Sequence, residues 1–277
     1  MKMECKLALG CAQLGLDYGI ANSYGKPTFE EAVEIVDTAY KSGIRYFDTA
    51  EAYGDSFDRL IRIFEEDAYL NHVKIISKMS IKDDWLGIKT KLESNNIYGM
   101  LSHDGLKNWN IIGPYLYHLK DRGLIKKFGM SRYDYGGYMP DVEILQSPFN
   151  VFSDPIKFAS NIYSGDIVPK VFMRSVFLQG VLLMKRTPKF AKEYVDAFRD
   201  HIIRHRVGRA EFALAYVMHT FPHSYIIIGV DNADQLKENV ELYNSIQDKD
   251  WFDIVADWEE NRPEAPQNVI DPRLWRI

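Results

Sequence analysis

The chain has 277 residues, 46% hydrophobic and 26% charged, a globular composition that excludes a fibrous or disordered polymer. Its 34 basic and 39 acidic residues leave a formal charge of −5, which argues against nucleic acid as a partner, because nucleic acid demands a basic face. Two cysteines, Cys5 and Cys11, make neither a disulfide framework nor a four-ligand zinc site, and no apolar run approaches the roughly 18 residues of a spanning helix. With no signal-peptide pattern at the N-terminus, the expected setting is soluble and cytoplasmic, with no membrane partner.

Short apolar runs alternate with longer amphipathic segments. Candidate strands are Lys6–Leu9, Ile44–Phe47, Val73–Ser77, Tyr98–Leu101, Lys126–Met130, Ile144–Gln146, Val168–Met173 and Tyr225–Ile228. Between them, Thr28 to Lys41 carries Ala32, Val33, Val36, Ala39 and Tyr40 at helical period, with Thr28 and Glu31 as a capping box and Ser42-Gly43 as its stop. Asp55–Asp67, Trp85–Glu93, Asn110–Arg122 and Ala210–Thr220 show similar patterns. Such alternation implies parallel strands with right-handed crossovers. Eight repeats over this length predict an α/β fold, a closed (β/α)8 TIM barrel forming one domain over 1–277. An open doubly wound sheet is the alternative, but Gly10-Cys11-Ala12-Gln13-Leu14-Gly15 lacks the glycine pattern of its first turn. Arg174–Arg206 holds an apolar loop and then an extra helix after strand 7. The C-terminal tail 251–277 reads as an ordered excursion near the active-site rim.

Polar residues follow successive strand ends: Asp48 and Tyr53 after the second, Lys78 at the end of the third, His103 at the end of the fourth. In a barrel all these ends share one rim. A Lys beside an Asp makes an ion pair, and the ammonium favours a nearby phenolate, lowering the Tyr53 pKa toward neutrality. Such a tyrosine can donate a proton to a developing alkoxide, while a histidine holds the carbonyl oxygen. No metal-ligand cluster competes, so no metal is expected at the site. The hydride must come from something else.

The chain resembles the aldo-keto reductase superfamily. Phe47-Asp48-Thr49-Ala50 with Tyr53-Gly54 looks like its Asp/Tyr motif, and Lys78 and His103 match the rest of its catalytic tetrad in order. The resemblance implies Tyr53 as general acid–base, Lys78 and Asp48 tuning it, and His103 orienting substrate, with NADP(H) or NAD(H) as hydride donor. Gly129-Met130-Ser131 and Gln146 resemble the segments that hold the nicotinamide carboxamide. Arg174, Ser175, Leu178 and Gly180 resemble the pyrophosphate loop. Gly229, Asp231, Gln235, Glu238 and Asn239 resemble the adenosine segment. Many members carry a basic residue where Val230-Asp231 stands, so Asp231 implies tolerance of NADH, with Lys237 or Arg204-His205-Arg206 as cations for a 2′-phosphate; plain helix capping is the other reading of Asp231. The segment Leu9–Asn22 and the tail Ile270–Trp275 are similar to a bacterial branch of surface-polysaccharide and sugar pathways. That implies a sugar or nucleotide-sugar carbonyl met by Gln13, Asp17, Tyr18, Tyr24 and Trp275. Tyr133, Tyr135 and Tyr138 read as packing residues. A nucleotide-sensing regulatory subunit with little turnover is the second reading, and a phosphate-binding barrel isomerase or lyase the third.

Overall fold

A computed structural model describes residues 6–66, 72–95, 97–133, 139–162 and 167–275. Asp67, Tyr135 and Tyr138 therefore lie outside the described residues. Eight parallel strands close into a barrel in sequence order: β1 (Leu7–Gly10), β2 (Tyr46–Asp48), β3 (Lys74–Met79), β4 (Ile97–Ser102), β5 (Ile125–Ser131), β6 (Ile144–Pro148), β7 (Lys170–Arg174) and β8 (Tyr225–Gly229). The expected (β/α)8 architecture is present. β2 starts two residues later than the apolar run implies and extends to Asp48, which sits opposite Gly10 of β1. β8 closes the ring on β1, pairing Gly229 with Gly10.

Along the chain the helices are α1 (Ala12–Gly15), α2 (Phe29–Lys41), α3 (Ser56–Glu66), α4 (Trp85–Ser94), α5 (Trp109–Asp121), α6 (Pro155–Ile162), α7 (Lys192–His205), α8 (Arg209–Thr220), α9 (Ala233–Ile246), α10 (Phe252–Asn261) and α11 (Gln267–Ile270). The Thr28 capping box forms as read: Thr28 Oγ1 accepts from the Glu31 N–H, and Glu31 accepts from the Thr28 N–H at 2.7 Å. α7 is the extra helix after β7. α10, α11 and a 3-10 turn at Pro272–Leu274 order the tail. None of the described helices is long and apolar enough to cross a membrane.

Two apolar layers result. The outer one lies between strands and helices and includes Phe47, Phe64, Phe149, Phe198 and Trp258. The inner one fills the barrel itself with Ala8, Tyr46, Ile76, Leu101, Ile144, Phe172, Tyr225 and Ile227. Tyr46 is its hub, meeting Tyr98, Phe172 and Tyr225 at ring separations of 5.5, 5.1 and 4.6 Å. Its hydroxyl accepts from Lys74 and Lys170, so the ring's polar end is satisfied.

Candidate active site

β2 carries Asp48 to the rim, and the loop that follows is anchored from below. Thr49 Oγ1 donates to Ser56 Oγ, and Ser56 Oγ donates to the Cys11 carbonyl at 2.7 Å, all buried. Gly54 has φ 59°, and a Cβ there would lie 2.4 Å from the Gly15 carbonyl, so the turn under Tyr53 needs glycine. Lys78, fully buried in β3, points its ammonium at this loop. Nζ donates to both Asp48 oxygens at 2.7 and 2.8 Å and to the Thr49 carbonyl at 2.8 Å. The Tyr53 hydroxyl stands 3.5 Å from the same nitrogen. His103, just past β4, is fixed by its N–H donating to the Met79 carbonyl, and its ring lies edge-on to Tyr53 at 5.9 Å. The four sequence-predicted residues therefore converge.

The electrostatics differ from the expectation in one respect. Tyr53 is pushed above its ordinary value of 10, chiefly by burial, with the Asp48 carboxylate adding to the rise. The lysine that would favour a phenolate is neutralised by Asp48 in the same contact. Tyr53 is thus a firmly protonated donor. Burial pushes His103 down to about 4, with the Lys78 and Arg174 cations adding, so its imidazole is neutral near pH 7. Burial also raises the Cys11 thiol well above its ordinary value, so Cys11 is no thiolate.

A cleft of about 570 Å3 runs from Asp48, Tyr53 and His103 across the rim to the first turns of α9. Of the expected cofactor residues, Arg174, Ser175, Gly180, Gly229, Asp231, Gln235, Glu238 and Asn239 line it. Leu178 does not: it is fully buried beneath its loop. Ser131 and Gln146 are paired neighbours in β5 and β6 that lie behind Asp48. The Gln146 amide donates to Asp48 at 2.7 Å and accepts from Ser131 at 3.1 Å, so here it serves the carboxylate.

The loop after β7 is strained. Ser175, Leu178 and Gln179 have φ of 61°, 49° and 50°, a region costly for residues with a Cβ. It is held against the loop after β1: Gln179 donates to the Tyr18 hydroxyl at 3.0 Å, and a Cβ on Gly180 would meet Ala21 at 2.5 Å. At the other end, a Cβ on Gly229 would lie 2.7 Å from the Gln13 amide, so bare backbone faces the cleft there. Asp231 accepts from Gln235 Nε2 at 3.3 Å, while Asn232 caps α9. Of the cations expected to assist, Lys237 pairs with Asp234, and Arg204 and His205 pair with Asp257 on α10.

Among the expected substrate residues, Gln13 and Tyr18 line the cleft; Asp17 and Tyr24 point to solvent. Trp275 instead packs on Phe190 at 5.0 Å and donates to the Val269 carbonyl, its indole anchoring the tail. Tyr133, read as packing, lines the cleft. Arg174 lies 3.8 Å and Arg273 3.4 Å from its ring centroid, a cation–π stack no spacing rule foretells. Arg273 is anchored on buried Asp271, whereas the Arg174 guanidinium makes no hydrogen bond or ion pair among the described residues.

Residues 6–103, which include Asp48, Tyr53, Lys78 and His103, match the Aldo/keto reductase family. The fold is similar to that of aldo-keto reductase AKR11C1 from Bacillus halodurans, solved in its holo form (TM-score 0.71, 15% identity, 98% of this chain and 95% of that one). It is also similar to PA4992 of Pseudomonas aeruginosa, which carries a provisional aldo-keto reductase designation (TM-score 0.65, 21% identity, 87% and 90% covered). No curated protein sequence matches the chain. The family match over residues 6–103 supports an oxidoreductase enzyme, and the solved structures share the fold.

Proposed function

We propose that the protein reduces a carbonyl to an alcohol with NADPH or NADH, and that Tyr53 delivers the proton. The observation that carries this reading is the Lys78–Asp48–Tyr53–His103 cluster at one end of a cleft lined at its far end by Gly229, Asp231, Gln235 and Asn239. The lining, which reaches from Tyr53 to residues of α9, and the bare backbone at Gly229 suit a dinucleotide with its nicotinamide end at Tyr53. When bound, the cofactor supplies a hydride. Arg174, Ser175, Gly180 and the α9 residues would hold it, with Ser131 and Gln146 acting through Asp48 rather than on the ring.

The chain's own part is proton delivery. Neutral His103 offers a ring N–H to the carbonyl oxygen, orienting it. As negative charge grows on that oxygen, the Tyr53 hydroxyl gives up its proton to it. The resulting phenolate stands 3.5 Å from Lys78 Nζ, which can donate a hydrogen bond to it while Asp48 offsets the ammonium's charge. The substrate class we favour is a sugar or nucleotide-sugar carbonyl: Gln13 and Tyr18 line the same cleft as Tyr53 and offer an amide and a hydroxyl to sugar hydroxyls.

Nicotinamide fluorescence titration with turnover of an aldehyde panel tests the reading. Saturable binding with cofactor oxidation is expected. Tight binding without oxidation of any carbonyl would favour the nucleotide-sensing alternative, and absence of binding would refute both. The Asp231 carboxylate predicts that NADH binds within about a hundredfold of NADPH, roughly 2.7 kcal/mol.

A further inference from the structure

Away from the cleft, α7 and α10 bring together three groups that the proposed chemistry does not use. His201 and His205 are one helical turn apart, so both imidazoles share a face of α7. Asp257 enters from α10. Its Oδ2 lies 3.2 Å from His201 Nδ1 and 2.6 Å from His205 Nε2, and one donor atom from each residue lies within 4.8 Å of the others. His201 is 1% exposed, walled by the rings of Phe212 and Trp258 at 4.7 and 5.1 Å. Neither of its ring nitrogens has a hydrogen-bond partner among the described residues, the Asp257 oxygen being near but misaligned. An orphaned buried polar group costs about 1–3 kcal/mol. A ligand that takes one imidazole nitrogen removes part of that cost.

We propose that His201, His205 and Asp257 form a zinc site that ties α7 to α10. Two imidazoles and one carboxylate are a borderline-soft N2O set that suits Zn2+, with a fourth position left to water. With bonds of about 2.0–2.2 Å, ligand atoms of a tetrahedral site stand roughly 3.3 Å apart. The His201–Asp257 separation of 3.2 Å already matches that edge. His205 has to exchange its direct contact with Asp257 for the ion, withdrawing from it by about 0.7 Å, and to bring its donor atom, within 4.8 Å of that of His201, to the same edge length. His205 and Asp257 are 24% and 27% exposed, which leaves a route for entry. Arg204 competes for the same carboxylate at 3.2 Å, but it is 56% exposed and can turn into solvent. The tie would reach the cleft indirectly, because the chain beyond α10 carries Arg273 to Tyr133.

Titration of chelator-stripped full-length protein with ZnCl2 by calorimetry, and with Co2+ by visible absorption, tests the site. One ion per chain is expected, with a Kd of about 1 µM or tighter and tetrahedral Co2+ bands. His205→Ala and Asp257→Asn, both at part-exposed positions, should weaken binding about tenfold or more, and Arg204→Gln should tighten it. At the same free concentration zinc should raise the melting temperature of the wild type by more than that of His205→Ala. No saturable binding below about 100 µM, or equal affinity in the wild type and both ligand variants, would overturn the proposal.

Discussion

Replacing Lys78 by methionine probes the buried ion pair on which the active-site geometry depends. Lys78 is fully buried and Asp48 is 5% exposed. Among the described residues the ammonium gives the Asp48 carboxylate two of its three hydrogen bonds, at 2.7 and 2.8 Å, and Gln146 gives the third. Methionine matches the length of lysine but leaves a buried carboxylate with a single neutral donor. Breaking one half of such a pair costs about 3–5 kcal/mol. For a chain of this size that lowers the melting temperature by roughly 6–20 °C. Urea unfolding followed by circular dichroism measures the cost, and the double variant Asp48→Asn/Lys78→Met separates the pair from its surroundings. The double variant should regain most of the lost stability, because no unpaired charge remains in it. Turnover should stay lost in both. A cost under about 1 kcal/mol for Lys78→Met would refute the reasoning, since that is the worth of a solvated surface pair.

Three further outcomes follow from the same geometry. Tyr53 is held above its ordinary value of 10, so the rate of carbonyl reduction should stay level through pH 9; a fall with a midpoint near 7–8 in the pH profile of kcat/KM would show a tuned, acidic phenol instead. His103 and His201 are both held from 6.5 down to about 4. As pH drops from 6.5 to 4 the unfolded chain takes up protons that the folded chain refuses, so stability falls in that window by up to about 3 kcal/mol for fully buried His201 and less for His103. Calorimetry of chelator-stripped protein checks this, and a flat profile over that range counts against the buried neutral rings. Finally, a Cβ at Gly15 would lie 1.9 Å from the Tyr53 carbonyl and 2.5 Å from the Ser56 nitrogen. Gly15→Ala should therefore displace the loop and lower kcat more than it raises the cofactor KM, which steady-state kinetics will read.

Local patterns in the sequence carry the fold well. Apolar runs find all eight strands, and Thr28 with Glu31 finds the start of α2. α6 escaped because it is short, although Asp154-Pro155 is a start signal: the Asp154 carboxylate accepts from the Ile156 and Lys157 N–H groups. The catalytic quartet is legible because each residue sits at a strand end, and barrel closure brings strand ends together. What spacing does not carry is depth. Tyr53 is read as acidic from its charged neighbour, yet burial and the Asp48 carboxylate decide its proton affinity. Trp275 looks like a pocket aromatic, but tail packing onto Phe190 turns it away. The bond from Gln146 to Asp48 is likewise invisible in the sequence, because it depends on the register of β6 against β5. The His201–His205 spacing is not among the motifs read from the sequence, and Asp257 joins that pair only through the packing of α10.

Single-turnover absorbance of the reduced cofactor, mixed with a reactive aldehyde, compares the wild type with Tyr53→Phe most directly. Removing the hydroxyl from a positioned proton donor should slow cofactor oxidation by about 10²–10⁴-fold while the cofactor's dissociation constant stays the same. Oxidation at the wild-type rate in Tyr53→Phe would contradict the account, because the proton would then come from another group.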